Sequence, residues 1–187
     1  MSNITKKAIA ASFMELLEKT PLDKITVKDI VESCEINRNT FYYHFQDIYA
    51  LIDWIFTNVL NQFMQENEIY EKWQDGFLYI ADYFEKNKKI IYNLYNSGKG
   101  RYFDQYLYRV VEHLLTVVIG KYAEGTNVSA EDIKFVVDFY KYALVGLIFQ
   151  WIAGAMEEDP KNIVEKIERV FCGHMEGIFT RCKNMVD

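Results

Sequence analysis

The stretch from Thr26 to Asp53, TVKDIVESCEINRNTFYYHFQDIYALID, constrains this chain's fold more than any other. Thr26, with Asp29 three residues on, is a capping-box-like pattern that opens a short helix running to about Cys34. Asn37 is a good cap for a second short helix with Arg38 to His44 as its body. Asp47 caps a third. In it Leu51, Ile55, Val59 and Phe63, or Ile52, Phe56 and Leu60, offer apolar faces, and the pattern fades near Glu66-Asn67-Glu68. Only Cys34-Glu35-Ile36-Asn37 separates the first two, so they join at a steep angle through a tight turn.

The rest of the chain agrees with a helical fold. Ile9, Phe13, Leu16 and Leu17 recur at helical spacing and place a leading helix over about Asn3 to Lys19, broken by Thr20-Pro21-Leu22-Asp23. Burial of Ile25, Ile30, Phe41, Phe45 and Leu51 against that helix makes a small core. Five further helices are expected over about Glu71–Glu85, Lys88–Tyr95, Arg101–Ala123, Ala130–Met156 and Pro160–Cys182. Ser129 with Asp132 is another capping box, and Asp159-Pro160 places a cap before a proline at the first helical position. Asn96-Ser97-Gly98-Lys99-Gly100 is the clearest internal loop. Proline occurs only twice in 187 residues and Asn-Gly is absent, which disfavours hairpins. The expectation is an all-α protein of about nine helices. Residues 3–63 form an N-terminal head, with its motif at about 26–45, and residues 64–187 form a C-terminal helical bundle.

Charge and cysteine content exclude several classes. The net charge is -6, and residues 1–50 carry six Lys/Arg against seven acids, a balance of -1. Contact with a polyanion must therefore come from local placement of cations and helix N-termini. Three cysteines (Cys34, Cys172 and Cys182) with no CxxC pair read as free thiols of a reducing compartment. Met1 to Lys7 leads straight into an amphipathic helix, so no signal peptide is expected there. Leu144 to Met156, the most apolar helical stretch, is too short to span a bilayer. A cytoplasmic protein without a membrane partner is expected.

The second short helix has the chemistry of a groove reader. Its first turn carries small polar and basic groups backed by aromatics, which suits a DNA major groove. Arg38 can take guanine O6/N7, and Asn39 can take adenine N6/N7. Thr40 can bond a phosphate or touch a thymine methyl, and Tyr43 is presented beside them. Tyr42 and His44 suit phosphate oxygens, with Asn37 at the helix start. Thr26 and Lys28, at the start of the preceding helix, would grip the backbone there. Phe41 and Phe45, four apart, are core.

The T-V-x-D-I pattern at Thr26 to Ile30, T-F-Y-Y-H-F at Thr40 to Phe45 and the aliphatic helix after them resemble the DNA-binding region of the TetR family of bacterial transcription regulators. The resemblance covers roughly Ile4 to Phe63. It implies a helix-turn-helix head, sequence-specific binding to double-stranded operator DNA, and a C-terminal domain that receives a signal. Four positions depart from the family pattern. Glu35 stands where a turn glycine is usual, and a left-handed conformation there costs more without glycine. Gln46 and Ile48 stand where lysines are frequent, and Ile48 cannot donate to a phosphate. Val31 replaces a usual alanine. Phe139-Tyr140 through Gly146-Leu147, then Trp151, Met156 and Pro160, resemble the subgroup of the activator of dihydroxyacetone-kinase operons. That subgroup implies activation and a protein partner as the signal, and the expected effector is a small molecule or a protein.

Eleven of the fourteen tyrosines lie between Tyr70 and Tyr142. Tyrosine has an apolar body and a polar tip, so such a cluster lines a cavity for an aromatic or amphipathic ligand, or is ordinary core with hydroxyls at the surface. The pocket set is Tyr79, Tyr83, Tyr92, Phe103, Tyr106 and Tyr142. The last two helices hold small residues that allow close approach (Ala143, Gly146, Ala153 and Gly154) and an apolar stripe (Ile163, Ile167, Val170, Phe171 and Ile178). One chain has little left to bury that stripe against, so a four-helix interface between two copies is expected.

An enzyme is the competing class. His44, His113 and His174 are far apart, and Cys172-Gly-His174 suits neither one helix face nor a standard zinc site. No phosphate-binding glycine loop and no nucleophile motif is present. Glu157-Glu158-Asp159 reads as a solvated helix end. No catalytic residue, metal site or cofactor is expected. A helical interaction module that keeps the fold without reading DNA is the second alternative.

Overall fold

The computed structural model describes residues 2–66, 72–97 and 101–171. Among them are nine α-helices, joined at one point by a single 3-10 turn, Leu22–Lys24. The helices are α1 (Ser2–Leu17), α2 (Val27–Ser33), α3 (Arg38–His44), α4 (Ile48–Glu66), α5 (Trp73–Lys86), α6 (Lys88–Tyr95), α7 (Arg101–Ala123), α8 (Ala130–Ala153) and α9 (Pro160–Phe171). No strand occurs among the described residues. The chain divides into two compact units: Met1–Glu68 with Asn87–Tyr106, and Ile69–Lys86 with Leu107–Asp187.

The first unit closes around the apolar face of α1. Ile9, Phe13 and Leu17 are buried with Ile25, Ile30, Val31, Phe41, Phe45, Leu51 and Ile52. The α1 helix packs on α2, α3 and α6. Polar groups fix the seams: the Ser12 hydroxyl donates to Ile30 O at 3.2 Å, and Asn93 Nδ2 donates to Leu17 O at 2.6 Å. The second bond satisfies a carbonyl at the C-terminus of α1, which has no partner inside the helix. Phe56 lies against Phe103 and stacks on Tyr106, with ring centroids 6.4 and 4.4 Å apart.

In the second unit, α9 packs on α5, and α5 is close to α7. Gly76 makes that approach possible, because a Cβ there would sit 2.3 Å from Leu114 Cδ1. Ser129 caps α8 by accepting from Asp132 N at 3.1 Å. Asp159 accepts from Lys161 N at 2.9 Å at the head of α9.

Two expectations are corrected here. The α8 helix stops at Ala153, short of Met156, in a Schellman turn: Met156 N donates to Trp151 O and Ala155 N to Ile152 O, with Ala155 and Met156 at φ 61° and 51°. Counted from Ala130, α8 has 24 residues and is long and apolar enough to cross a membrane. Half of its most apolar stretch is buried within the protein, as in a core helix. The stripe on α9 is also less available than expected, because its Ile163 and Ile167 are buried within the single chain.

Candidate nucleic-acid interface

The α2–α3 pair is built by its caps. Thr26 and Asp29 form a reciprocal capping box: Thr26 N donates to Asp29 Oδ2 at 2.8 Å, and Asp29 N donates to Thr26 Oγ1 at 3.3 Å. The Thr26 hydroxyl also donates to Asp29 Oδ2 at 2.6 Å. That hydroxyl bond, joined by the backbone bond, holds the Asp29 carboxyl below its ordinary value. The turn between the helices is a Schellman motif. Ile36 N donates to Val31 O at 3.0 Å and Glu35 N to Glu32 O at 3.4 Å. Glu35 takes the left-handed position at φ 54°, so the turn keeps its geometry with the strained residue in place of glycine.

Asn37 then caps α3, its side-chain oxygen accepting from Thr40 N at 2.8 Å. Phe41 and Phe45 anchor the helix from below, both buried, their rings 5.9 Å apart. The opposite face is solvent. Asn37, Arg38 and Asn39 are exposed, and Tyr42 and Tyr43 are exposed aromatics, Tyr43 at 82%. His44 is half-buried beside Tyr43 in an edge-to-face contact of 5.0 Å. Lys28 is exposed and pairs with Glu32 at 3.7 Å, a solvated pair a phosphate can displace at small cost. All nine residues proposed from sequence to meet DNA thus lie on α2, α3 and their caps within one unit.

A contact not foreseen from sequence braces this head. Lys6 Nζ sits over the Phe45 ring at 5.5 Å and the Trp54 ring at 6.0 Å, and Phe45 meets Trp54 edge-to-face at 5.9 Å. The cluster ties α1, the end of α3 and α4 together. Asp47 caps α4 by accepting from Ala50 N at 2.8 Å.

The six residues of the expected ligand pocket are divided between the two units. Tyr92, Phe103 and Tyr106 belong to the first, and Tyr79, Tyr83 and Tyr142 to the second. Phe103 and Tyr106 are buried against Phe56. Burial, with Tyr79 nearby, pushes the Tyr83 hydroxyl above its ordinary value. Tyr142 is 61% exposed and meets Tyr108 edge-to-face at 5.5 Å.

Of the expected interface set, Gly146 and Gly154 are exposed, Ala143 is half-buried, and Ile163 and Ile167 are buried. Val170 and Phe171 end α9, and Ile178 lies outside the described residues, as do Cys172 and His174. The structure adds what spacing alone did not mark. Phe135 (70% exposed), Phe139 (52%), Tyr142 and Gly146 form one exposed stripe along α8.

Comparison with known proteins decides the family. Residues 71–173 match the transcriptional regulator C-terminal region model TetR_C_8, and residues 9–54 match the model of bacterial regulatory proteins of the tetR family. The chain belongs to the TetR family of transcriptional regulators. It is 32% identical over 118 residues to the HTH-type dhaKLM operon transcriptional activator DhaS of Lactococcus lactis subsp. lactis (strain IL1403), a match covering 63% of this chain and 62% of that protein. A solved structure of a dihydroxyacetone kinase operon activator DhaS superimposes with a TM-score of 0.70 at 25% identity, over 94% of this chain and 98% of that one. A TetR transcriptional regulator from Streptococcus agalactiae 2603V shares the fold with a TM-score of 0.65 at 20% identity, over 88% and 92% of the two chains. The fold is also that of NalD, a repressor from Pseudomonas aeruginosa, with a TM-score of 0.58 at 17% identity over 90% and 95%. This TetR-family chain therefore matches the family at both its head and its C-terminal region.

Proposed function

We propose that this TetR-family regulator binds a pseudo-palindromic operator as a homodimer, in the cytoplasm, and is not an enzyme. One observation carries the reading: α3 is capped, anchored by two buried phenylalanines, and turns Arg38, Asn39, Tyr42 and Tyr43 to solvent. Arg38 and Asn39 read base edges. Thr26, Lys28, Asn37, Thr40, Tyr42, Tyr43 and His44 place the head on the backbone. Dimerisation doubles these contacts and sets the half-site spacing. The exposed aromatic stripe on α8 supports an interface between two copies.

The C-terminal region receives the signal, a small molecule or a protein partner. The signal stabilises one of two separations of the heads, and α4 transmits the change. The free energy for the shift is the difference in signal affinity between the two states. Likeness to the DhaS activators favours activation as the sign of regulation. The test is a footprint of the purified protein on DNA flanking its own gene, at about 0.15 M salt with excess competitor DNA. Protection of two half-sites one helical turn or a multiple apart is expected. Salt-sensitive binding that competitor abolishes overturns the reading.

A further inference from the structure

The second unit carries an exposed aromatic stripe on α8 and a cleft beside the α8–α9 turn. The N-terminal half of α8 presents Phe135, Phe139 and Tyr142 to solvent. The C-terminal half presents a cleft of about 500 Å³ instead, bordered by Leu147, Trp151, Gly154, Ile163 and Ile167 and rimmed by Glu157 and Glu158. Between the halves lies Gly146, where an added Cβ would meet nothing within 4 Å, so another helix can approach closely. We propose that two copies of this chain pack their α8 helices antiparallel, crossing at Gly146, and that Phe139 of each copy fills the α8–α9 cleft of the other. The inference rests on the dimer reading above and specifies its register.

Counting outward from Gly146 fixes the pairings. Tyr142 lies across from Gln150 of the second copy, placing a phenol opposite a side-chain amide. Phe139 lies across from Ala153 and Gly154, two exposed small residues, of which Gly154 lines the cleft. Lys134, exposed and paired with Asp138 of its own helix at 3.0 Å, comes beside Glu157, which neighbours a Glu158 already paired with Lys166 of its own chain. The parallel arrangement about the same stripe fails on each count. It sets Phe139 on Phe139, Lys134 on Lys134 and Glu131 on Glu131, and leaves both clefts empty. Antiparallel α8 helices also oppose their dipoles favourably. A cleft lined by the buried Trp151 is where an aromatic anchor contributes most to association.

Directed crosslinking tests the register. In a full-length background with Cys34→Ser, Cys172→Ser and Cys182→Ser, Phe139→Cys and Gly154→Cys are made separately with different affinity tags. They are oxidised alone and after mixing, and sedimentation of the wild-type chain and of each variant is measured in parallel. A disulfide-linked species carrying both tags, with no self-linked Phe139→Cys, is expected. In the wild-type chain, Phe139→Ala is expected to raise the dimer dissociation constant about tenfold or more. Self-linking of Phe139→Cys alone establishes the parallel arrangement and overturns the proposal. Dimers by sedimentation without the mixed disulfide overturn the register and leave the dimer reading standing. A wild-type chain that sediments as a monomer at tens of micromolar overturns both.

Discussion

The side-chain oxygen of Asn37 accepts two hydrogen bonds from Thr40, one from its backbone N–H at 2.8 Å and one from its hydroxyl at 3.0 Å. In the free protein the cap thus occupies the Thr40 hydroxyl proton, and a phosphate contact by Thr40 has to displace this exposed bond. What Asn37 keeps for DNA is its amide Nδ2, beside the N-terminus of α3. Asn37→Asp preserves the cap, since both residues are good N-caps, but removes that donor and adds a negative charge. Its thermal midpoint should match the wild type while operator affinity falls about tenfold or more, or about 1.4 kcal/mol. Asn37→Ala should lose about 1 kcal/mol of stability as well. Thermal melts beside fluorescence anisotropy separate the two effects, and equal affinity of Asn37→Asp and wild type would remove Asn37 from the interface.

Arg38 and Tyr43 carry the contact assignment. Both are exposed, so replacing either with alanine should change stability by no more than about 0.5 kcal/mol. If Arg38 reads a guanine, Arg38→Ala costs about 1–3 kcal/mol and relaxes preference at one base position. If it meets only phosphate, all sequences weaken alike and the salt slope drops by about 1. Selection of binding sites from a random library with the variant distinguishes these. The Arg38→Ala, Tyr43→Ala double variant should lose specific binding, and full retention would overturn the assignment of these two residues as DNA contacts.

Much of this head was legible because its boundaries are set by side chains. Thr26, Asn37 and Asp47 read as caps from residue type and spacing, as does Ser129 in the second unit, and each accepts the expected backbone N–H. Burial of Ile30, Phe41 and Phe45 followed from helical periodicity. What escaped depends on φ or on the far side of a fold. The end of α8 is set by left-handed Ala155 and Met156, a conformation that residue type does not announce. The Lys6 contact with Phe45 and Trp54 joins three helices distant in sequence. Ile163 and Ile167 looked unpartnered because sequence does not show α9 packing on α5.

Glu35 combines two separable penalties. Its left-handed backbone costs about 1–2 kcal/mol for a residue with a Cβ. Its carboxylate lies in the exposed turn leading to α3, near where phosphates would pass. Glu35→Gly relieves the strain but adds unfolded-state entropy, so a net gain of a few tenths to about 1 kcal/mol in urea unfolding is expected. Glu35→Gln keeps the strain and removes only the charge. It should leave stability unchanged and raise DNA affinity, most at low salt. If Glu35→Gly is destabilising, the turn draws stability from the glutamate side chain rather than bearing strain.

The pH dependence of stability follows from three groups. The Thr26 hydroxyl holds Asp29 low, and hydrogen bonds from Lys141, then Lys134, hold Asp138 low. A depressed carboxyl contributes stability that is fully present above the unfolded value near 3.8 and is lost as pH falls through the lower folded value. Lys141 behaves oppositely. Burial alone would lower it, but bonds to Asp138 at 2.6 Å and Glu112 at 3.1 Å outweigh burial and leave it above 10.5. Its contribution is present below that value and is lost as pH rises through the raised one. Asp29→Asn and Asp138→Asn should each flatten the acid limb of the urea midpoint against pH, and Lys141→Met should flatten the alkaline limb. Because Lys141 is itself buried, Lys141→Met should be close to neutral at pH 7, where an apolar chain replaces a paired charge of similar length. Double substitution of Glu112→Gln and Asp138→Asn leaves a buried, unpaired ammonium and should lower the midpoint more than Lys141→Met does. The reverse order would mean that the lysine's packing, not its pairing, holds α7 to α8.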